Sequence, residues 1–131
     1  MEIVKTDLSY DEFIKKNREF TGCVIDKNGS KYWYLNGKCY RTDGPACEWA
    51  NGNKYWYLNG KCHRTDAPAI VCVSGNKAWY LNGKLHRTDG PAVEYVGGHK
   101  EWYLNGKLLT EEEWTYTIRL DKLGEFLNGN S

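Results

Sequence analysis

Side chains that could bind a partner recur along the chain at a fixed interval. An Arg-Thr-Asp tripeptide occurs three times, and a tyrosine or a histidine precedes each arginine. Arginine binds carboxylate and phosphate groups through paired hydrogen bonds, so this row suits an acidic or phosphorylated partner. In an alternative, structural interpretation, each aspartate caps its own turn and the arginine pairs with a neighbouring aspartate. The binding interpretation predicts a site composed of Tyr40, Arg41, Tyr57, His63, Arg64, Tyr80, His86 and Arg87.

The three histidines do not form a catalytic pattern. His63 and His86 occupy equivalent positions, and the corresponding residues in the other copies are Tyr40 and Leu109, neither of which could replace a general base. His99 lies in a turn that carries serine or asparagine in the other copies. CxxC pairs, phosphate loops, GxSxG elbows and DxDxDG calcium loops are missing from the sequence. We therefore expect no enzyme activity, no metal site and no cofactor.

The cysteines and the charge indicate the environment of the protein. Five cysteines without a CxxC spacing or a signal peptide predict free thiols in a reducing compartment, so the cytoplasm is the expected location. No apolar run reaches the roughly 20 residues of a membrane span. The net charge is +1, although residues 31–107 carry eleven Lys and Arg against six Asp and Glu. This distribution is consistent with an anionic partner or with solubilising lysines. The net charge of +1 does not call for nucleic acid, so we do not expect it as a partner.

Four tryptophans mark a tandem repeat. Each of them opens an identical WYLNGK hexapeptide, and they are equally spaced at positions 33, 56, 79 and 102. Self-similarity at a fixed period of about 20–50 residues is typical of repeat architectures. The segments before the tryptophans also align, so the array covers residues 21–109. Residues 1–20 and 110–131 do not repeat, and we expect them to be helical caps of one repeat domain, 1–131.

Each repeat has the pattern of β-hairpins. Asn-Gly at 36–37, 59–60, 82–83 and 105–106 predicts tight reversals, because both residues tolerate positive φ. A proline follows each Arg-Thr-Asp at the point where the chain crosses to the next repeat, and there its missing N–H disturbs a strand ladder least. The predicted fold is mainly β, an elongated antiparallel meander of seven to nine strands with a short helix at each end.

Alternation along each WYLNGK strand separates two faces. Tryptophan and leucine share one face, and we expect them to form the buried ladder. Cys39, Cys62, Leu85 and Leu108 occupy one equivalent position, and we expect small core side chains there. The tyrosines of the other face are expected to point outward beside the arginine row; they are Tyr34, Tyr57, Tyr80 and Tyr103.

Helix signals stand at both ends of the array. Ser9 with Glu12, and Thr110 with Glu113, match the capping box and predict helices over 10–19 and 111–126. The second helix carries an apolar stripe at helical spacing, which we expect to pack on the last hairpin. The stripe consists of Tyr116, Leu120, Leu123 and Leu127.

The repeat resembles two known classes. Residues 56–63, WYLNGKCH, resemble the MORN repeat, whose arrays are open sheets of successive hairpins. The Trp-Tyr before the turn and the RTDGPA after it depart from MORN units, so the lipid binding attributed to some MORN proteins does not transfer. Residues 81–95, LNGKLHRTDGPAVEY, are more similar to the tandem WYxNGxxHRxDGPA repeats of bacteriophage and giant-virus proteins. This resemblance covers residues 21–109 and implies a viral repeat protein.

Three classes of function are consistent with these patterns. The leading hypothesis, based on the viral resemblance and the lack of a catalytic pattern, is a small phage protein that binds and inhibits a host defence protein in the host cytoplasm. The first alternative is a sponge that sequesters a nucleotide-like anionic signal. The second alternative is a structural module that assembles through sheet edges. No membrane partner is expected in any of the three.

Overall fold

The computed structural model describes residues 2–127, without the side chains of Phe126 and Leu127. In these residues the chain forms fifteen strands and two helices. The helices are α1 (Tyr10–Lys16) and α2 (Glu111–Leu127). The strands are β1 (Ile3–Lys5), β2 (Gly22–Ile25), β3 (Lys31–Leu35), β4 (Lys38–Cys39), β5 (Cys47–Glu48), β6 (Lys54–Tyr55), β7 (Tyr57–Leu58), β8 (Lys61–Cys62), β9 (Ile70–Val71), β10 (Lys77–Ala78), β11 (Tyr80–Leu81), β12 (Lys84–Leu85), β13 (Val93–Glu94), β14 (Lys100–Leu104) and β15 (Lys107–Leu109).

Most strands lie side by side in one long sheet, in the order β1-β2-β3-β5-β6-β9-β10-β13-β14-β15. β4 pairs with β3, while β7–β8 and β11–β12 form separate two-stranded ladders. The neighbours from β2 to β15 are antiparallel, which confirms the mainly β meander. β1 is parallel to β2, with Ile3 opposite Cys23. The segment predicted as a helical cap, 1–20, therefore also contributes an edge strand.

The Asn-Gly reversals have the predicted conformation and also join neighbouring repeats. The asparagines have φ between 50° and 53°, and the glycines that follow have φ between 78° and 82°. The N–H of Gly60 donates to the carbonyl of Cys39 in the preceding repeat at 3.0 Å. The corresponding bonds run from Gly83 to Cys62 and from Gly106 to Leu85, both at 2.8 Å. Each turn is thus held by the repeat before it.

The core lies on the face opposite to the one that the sequence pattern predicted. Tyr34 is 4% exposed and Tyr32 is 2% exposed, whereas Leu35 is 39% exposed. We call this buried side the tyrosine face and the side with Trp33 and Leu35 the tryptophan face. Helix α1 covers the tyrosine face of the first repeat, where the rings of Tyr10 and Tyr32 lie 4.7 Å apart. The expected tryptophan–leucine core is therefore wrong for the first repeat, and in the later repeats the tryptophans and the tyrosines are both half-buried.

The cysteine position and the first cap follow from this arrangement. Cys39 stands directly opposite Tyr34 and is buried with it on the tyrosine face. It is a small core residue as predicted, but not beside the tryptophans, and the expectation fails at the equivalent Leu108, which is 58% exposed. Ser9 and Glu12 form the predicted capping box at the start of α1. The helix ends at Lys16 instead of 19, because Asn17 leaves the helical conformation.

Helix α2 packs on the tryptophan face, opposite to the side that α1 covers. Trp114 lies 4.7 Å from Trp102 between ring centroids, and Ile118 is buried. The predicted capping box between Thr110 and Glu113 is present. The apolar stripe does not pack on the hairpin, because Tyr116, Leu120 and Leu123 are 52–57% exposed. The fourth predicted stripe residue, Leu127, has a side chain outside the described residues. Within residues 2–127, neither helix has the length and hydropathy that a membrane crossing requires.

Candidate functional site

The three segments that connect one repeat to the next share a single arginine geometry. We call residues 40–46, 63–69 and 86–92 the crossing segments. In each, the guanidinium lies over the tryptophan ring of its own repeat, at 3.9 Å for Arg41, 3.9 Å for Arg64 and 3.7 Å for Arg87. Nη1 of each arginine also donates to the carbonyl of the following proline at 3.0–3.1 Å. Cation–π contact and a carbonyl bond together hold the arginine flat on the sheet.

The aspartates, rather than the arginines, are presented to solvent. The Arg64 side chain is 28% exposed and the Asp66 side chain is 84% exposed, and the other two pairs are similar. Nε of Arg87 donates to Asp89 at 2.7 Å, and this bond lowers the pKa of Asp89. These contacts support the structural interpretation for Arg41 and Arg87, each of which donates three hydrogen bonds within the chain.

The second repeat differs from its neighbours at one acidic position. Nη1 of Arg41 lies 3.2 Å from Oε2 of Glu48, and Nη1 of Arg87 lies 2.9 Å from Oε2 of Glu94. The residue at this place in the second repeat is Val71. The ion pair that remains for Arg64 is to Asp66, at 3.7 Å. Arg64 is thus the least neutralised of the three arginines.

A row of lysines runs across the tryptophan face through this acidic position. Residues directly opposite in antiparallel neighbours point to the same face. The register therefore places seven side chains in line, in the order Lys31, Glu48, Lys54, Val71, Lys77, Glu94 and Lys100. Glu48, Val71 and Glu94 each lie between two lysines. Glu48 and Glu94 each balance part of the positive charge of the lysines beside them. Val71 does not.

The crossing-segment histidines have a role that the sequence did not indicate. The N–H of Asn82 donates to Nδ1 of His63 at 2.9 Å, and the N–H of Asn105 donates to Nδ1 of His86 at 3.0 Å. Each histidine therefore fixes the Asn-Gly turn of the following repeat. Thr21 does the same for the first turn, through Oγ1 and the N–H of Asn36. The sequence contains no separate signal for this contact, because any two positions of the repeat recur at a constant separation.

The predicted site residues do not all meet on one surface. Arg41, Arg64 and Arg87 share the tryptophan face, but the rings of Tyr57 and Tyr80 follow the opposite side of their strands. Tyr57 packs on the core, and burial raises the pKa of Tyr80. The expectation that the tyrosines 34, 57, 80 and 103 point outward beside the arginines is wrong.

The remaining predicted residue, Tyr40, is half-buried in the first crossing segment, and its N–H donates to Trp33 O at 3.0 Å. The first two crossing segments enclose a groove of about 670 Å³ lined by Arg41, Thr42, His63, Arg64 and Thr65.

A pair of thiols lies on the tyrosine face. Sγ of Cys39 and Sγ of Cys47 are 3.9 Å apart, and the hydroxyl of Tyr10 is 3.9 Å from Cys39. The contact with Cys47 lowers the pKa of Cys39, while the same contact and burial raise the pKa of Cys47. Burial raises the pKa of Tyr10 to about 12. Nothing among the described residues groups three His, Cys, Asp or Glu side chains as a metal site.

Comparisons of the chain with protein families, with curated proteins and with solved structures found no match.

Proposed function

We propose that this chain is a non-enzymatic binding protein, and that a protein partner docks along the crossing segments of its tryptophan face. The observation that carries this proposal is the repeated arginine geometry, in which ring contact and hydrogen bonds immobilise three long side chains before any partner arrives. Side chains ordered in advance lose little conformational entropy on binding. Two strands per repeat place successive copies about 10 Å apart, a spacing that an extended protein surface can match.

The proposed partner is a host protein that the chain inhibits in the host cytoplasm. Support for this part comes from the resemblance of residues 81–95 to the repeats of bacteriophage and giant-virus proteins. Exposed aspartates and threonines beside ordered arginines form a polar surface of mixed charge, which suits protein recognition better than a lipid surface.

Substitutions at exposed threonines of the crossing segments test the docking surface. Thr65→Arg together with Thr88→Arg places two long side chains on the proposed surface without touching the arginines or tryptophans. Capture of a partner from a bacterial lysate by the immobilised protein, quantified by mass spectrometry, should fall about tenfold or more. Ser74→Arg, at an exposed hairpin turn away from the crossing segments, is the matched control and should capture as the wild type does. Equal capture by all three proteins contradicts the proposed surface.

A nucleotide-like anion is the second candidate ligand. It is favoured by the groove of about 670 Å³ between the first two crossing segments, which Arg41 and Arg64 line together with Asp43 and Asp66. Titration calorimetry with nucleotides tests it, and a measurable heat that disappears in Arg64→Ala supports this candidate over a protein partner. The absence of heat with a panel of mono-, di- and cyclic nucleotides rejects it.

A further inference from the structure

One position on the tryptophan face holds a carboxylate in the first and third repeats and none in the second. Glu48 supplies it to Arg41 and Glu94 supplies it to Arg87, in both cases through Oε2 and Nη1 at 2.9–3.2 Å. Val71 has the same register between the same kind of neighbours. The first and third repeats therefore show how a carboxylate sits when it occupies this position.

The surroundings of Val71 keep the cations that such a carboxylate would neutralise. Lys54 and Lys77 stand directly opposite Val71 on its two neighbouring strands, and both are exposed. Arg64 keeps the ring contact with Trp56 and the bond to Pro68 that its counterparts have. The acidic group nearest Arg64 is Asp66, whose side chain is 84% exposed and 3.7 Å away. Lys54 and Lys77 face Glu48 and Glu94 on their other sides, so each is shared between a glutamate and the Val71 position.

We infer that Arg64, Lys54 and Lys77 form a binding site for a carboxylate side chain of the protein partner. The partner's aspartate or glutamate takes the place that Glu48 and Glu94 fill in the other two repeats. This inference rests on the proposed function, because it names the chemistry that the partner brings to the same face. A carboxylate is favoured over a phosphate because the two occupied copies of this position hold carboxylates.

The geometry also explains why one repeat would differ. The guanidinium of Arg64 is held 3.9 Å above the Trp56 ring, and its partial burial strengthens a charge-assisted bond to an incoming oxygen. In the first and third repeats the chain's own glutamate competes for these donors, so a partner gains little there. At Val71 the competitor is missing, so the middle of the array is the place where an acidic side chain gains most.

Val71→Glu is the decisive substitution, because it supplies the missing carboxylate from the chain itself. The probe is a hexaglutamate peptide, and hexaglutamine is the neutral control. Binding of each peptide is monitored by NMR at low ionic strength. In the wild type, hexaglutamate should shift the Arg64 Nε–H signal and the amide signals of Lys54 and Lys77. In Val71→Glu the affinity should fall about tenfold or more, while the melting temperature stays equal or rises.

Matched variants separate this site from general charge effects. Val73→Glu adds the same charge at an exposed position two residues away and should leave the affinity within about twofold. Glu94→Val removes the glutamate beside Arg87, as Val71 does beside Arg64. In this variant hexaglutamate should also shift the Nε–H signal of Arg87.

The inference is overturned if Val71→Glu and Val73→Glu weaken binding equally, or if the shifts appear at lysines outside this row. It is also overturned if inorganic phosphate or ATP shifts these signals and hexaglutamate does not. The peptide experiment does not require the protein partner. The carboxylate site can therefore be disproved while the lysate capture succeeds, and it can be supported while the lysate capture shows no partner.

Discussion

At the scale of single residues, the crossing-segment arginines first of all make contacts within the chain. Each has an aromatic ring beneath it and a proline carbonyl at its edge. The three copies nevertheless differ in how many carboxylates they contact. Arg87 has Asp89 at 2.7 Å and Glu94 at 2.9 Å, whereas Arg64 has Asp66 at 3.7 Å. Stability should therefore depend unequally on residues that the sequence presents as equivalent.

Replacing the two arginines separately should reveal this difference. We expect Arg87→Ala to lower the free energy of unfolding by about 2 kcal/mol and Arg64→Ala by about 1 kcal/mol, since both lose the ring contact but only Arg87 loses close ion pairs. Urea unfolding followed by tryptophan fluorescence measures both values. Arg119→Ala, at an exposed position of α2, is the control and should change stability by less than about 0.5 kcal/mol. Equal losses at positions 64 and 87 would show that the glutamate contact adds nothing.

The histidine contacts give a second prediction at this scale. His63→Leu removes the acceptor for the N–H of Asn82 and should cost about 1 kcal/mol. Hydrogen exchange at the Asn82 amide should speed up about fivefold or more, while the amide of Asn105, held by His86, keeps its protection. His63→Asn can restore an acceptor near Nδ1 and should recover part of the protection. If exchange at Asn82 does not change in His63→Leu, this hydrogen bond does not hold the turn.

At the scale of elements, the two helices cover the two ends of the sheet, and they lie on opposite faces. α1 covers the tyrosines of the first repeat, and α2 covers Trp102 of the last one. In the fourth repeat Trp114 takes the place that arginine has elsewhere, because its ring packs at a tilt against Trp102 and its Nε1–H donates to Arg87 O at 2.9 Å. The final tryptophan is thereby covered although the Arg-Thr-Asp tripeptide is missing from its repeat.

The orientation of α2 predicts which of its residues matter. Trp114→Ala should lower the free energy of unfolding by about 3 kcal/mol, because it removes a large half-buried ring and a hydrogen bond. Leu120→Ala should change it by less than about 0.5 kcal/mol, because the side chain is 52% exposed. Chemical denaturation of the two variants measures both effects. A larger loss at position 120 would mean that the helix packs by its apolar stripe after all.

At the scale of the whole molecule, the chain is a linear array in which each repeat contacts its neighbours. The bonds from Gly60, Gly83 and Gly106 all go to the preceding repeat, as do those from Asn82 and Asn105. Contacts of this kind make stability a sum of repeat and interface contributions. The array length should therefore be adjustable, but only by whole repeats.

Deleting one unit tests this description of the molecule. Removal of residues 57–79 joins Trp56 to Tyr80 and keeps the alternation of every strand, so the shortened protein should fold with a lower melting temperature. Removal of residues 57–78 leaves one extra residue and turns Tyr80 and Leu81, which follow the junction in the same strand, to the wrong face. Circular dichroism and gel filtration should show a folded monomer for the first deletion and an unfolded or aggregated chain for the second. Similar behaviour of both would contradict the repeat register.

The sequence by itself determined the features that depend on local chemistry. The repeat period, the Asn-Gly turns with positive φ and both capping boxes were predictable, because each depends on residues close together in the chain. The row of arginines was also identifiable, with both of its interpretations open. The thiol pair of Cys39 and Cys47 was not, and neither was the placement of Glu48, Val71 and Glu94 between the repeated lysines, since both depend on the register between strands.

Only the tertiary structure decided which face of the sheet is buried and on which side each helix lies. Alternation separates tryptophan from tyrosine, but both are large aromatic residues, so their hydrophobicity does not reveal which set becomes the core. The choice depends on covering groups that come from elsewhere: α1 on Tyr32 and Tyr34, and the guanidinium of Arg41 on Trp33. The stripe on α2 failed as a guide for the same reason. Trp114 packs against Trp102, which has no arginine to cover it, and this contact leaves Leu120 and Leu123 about half exposed.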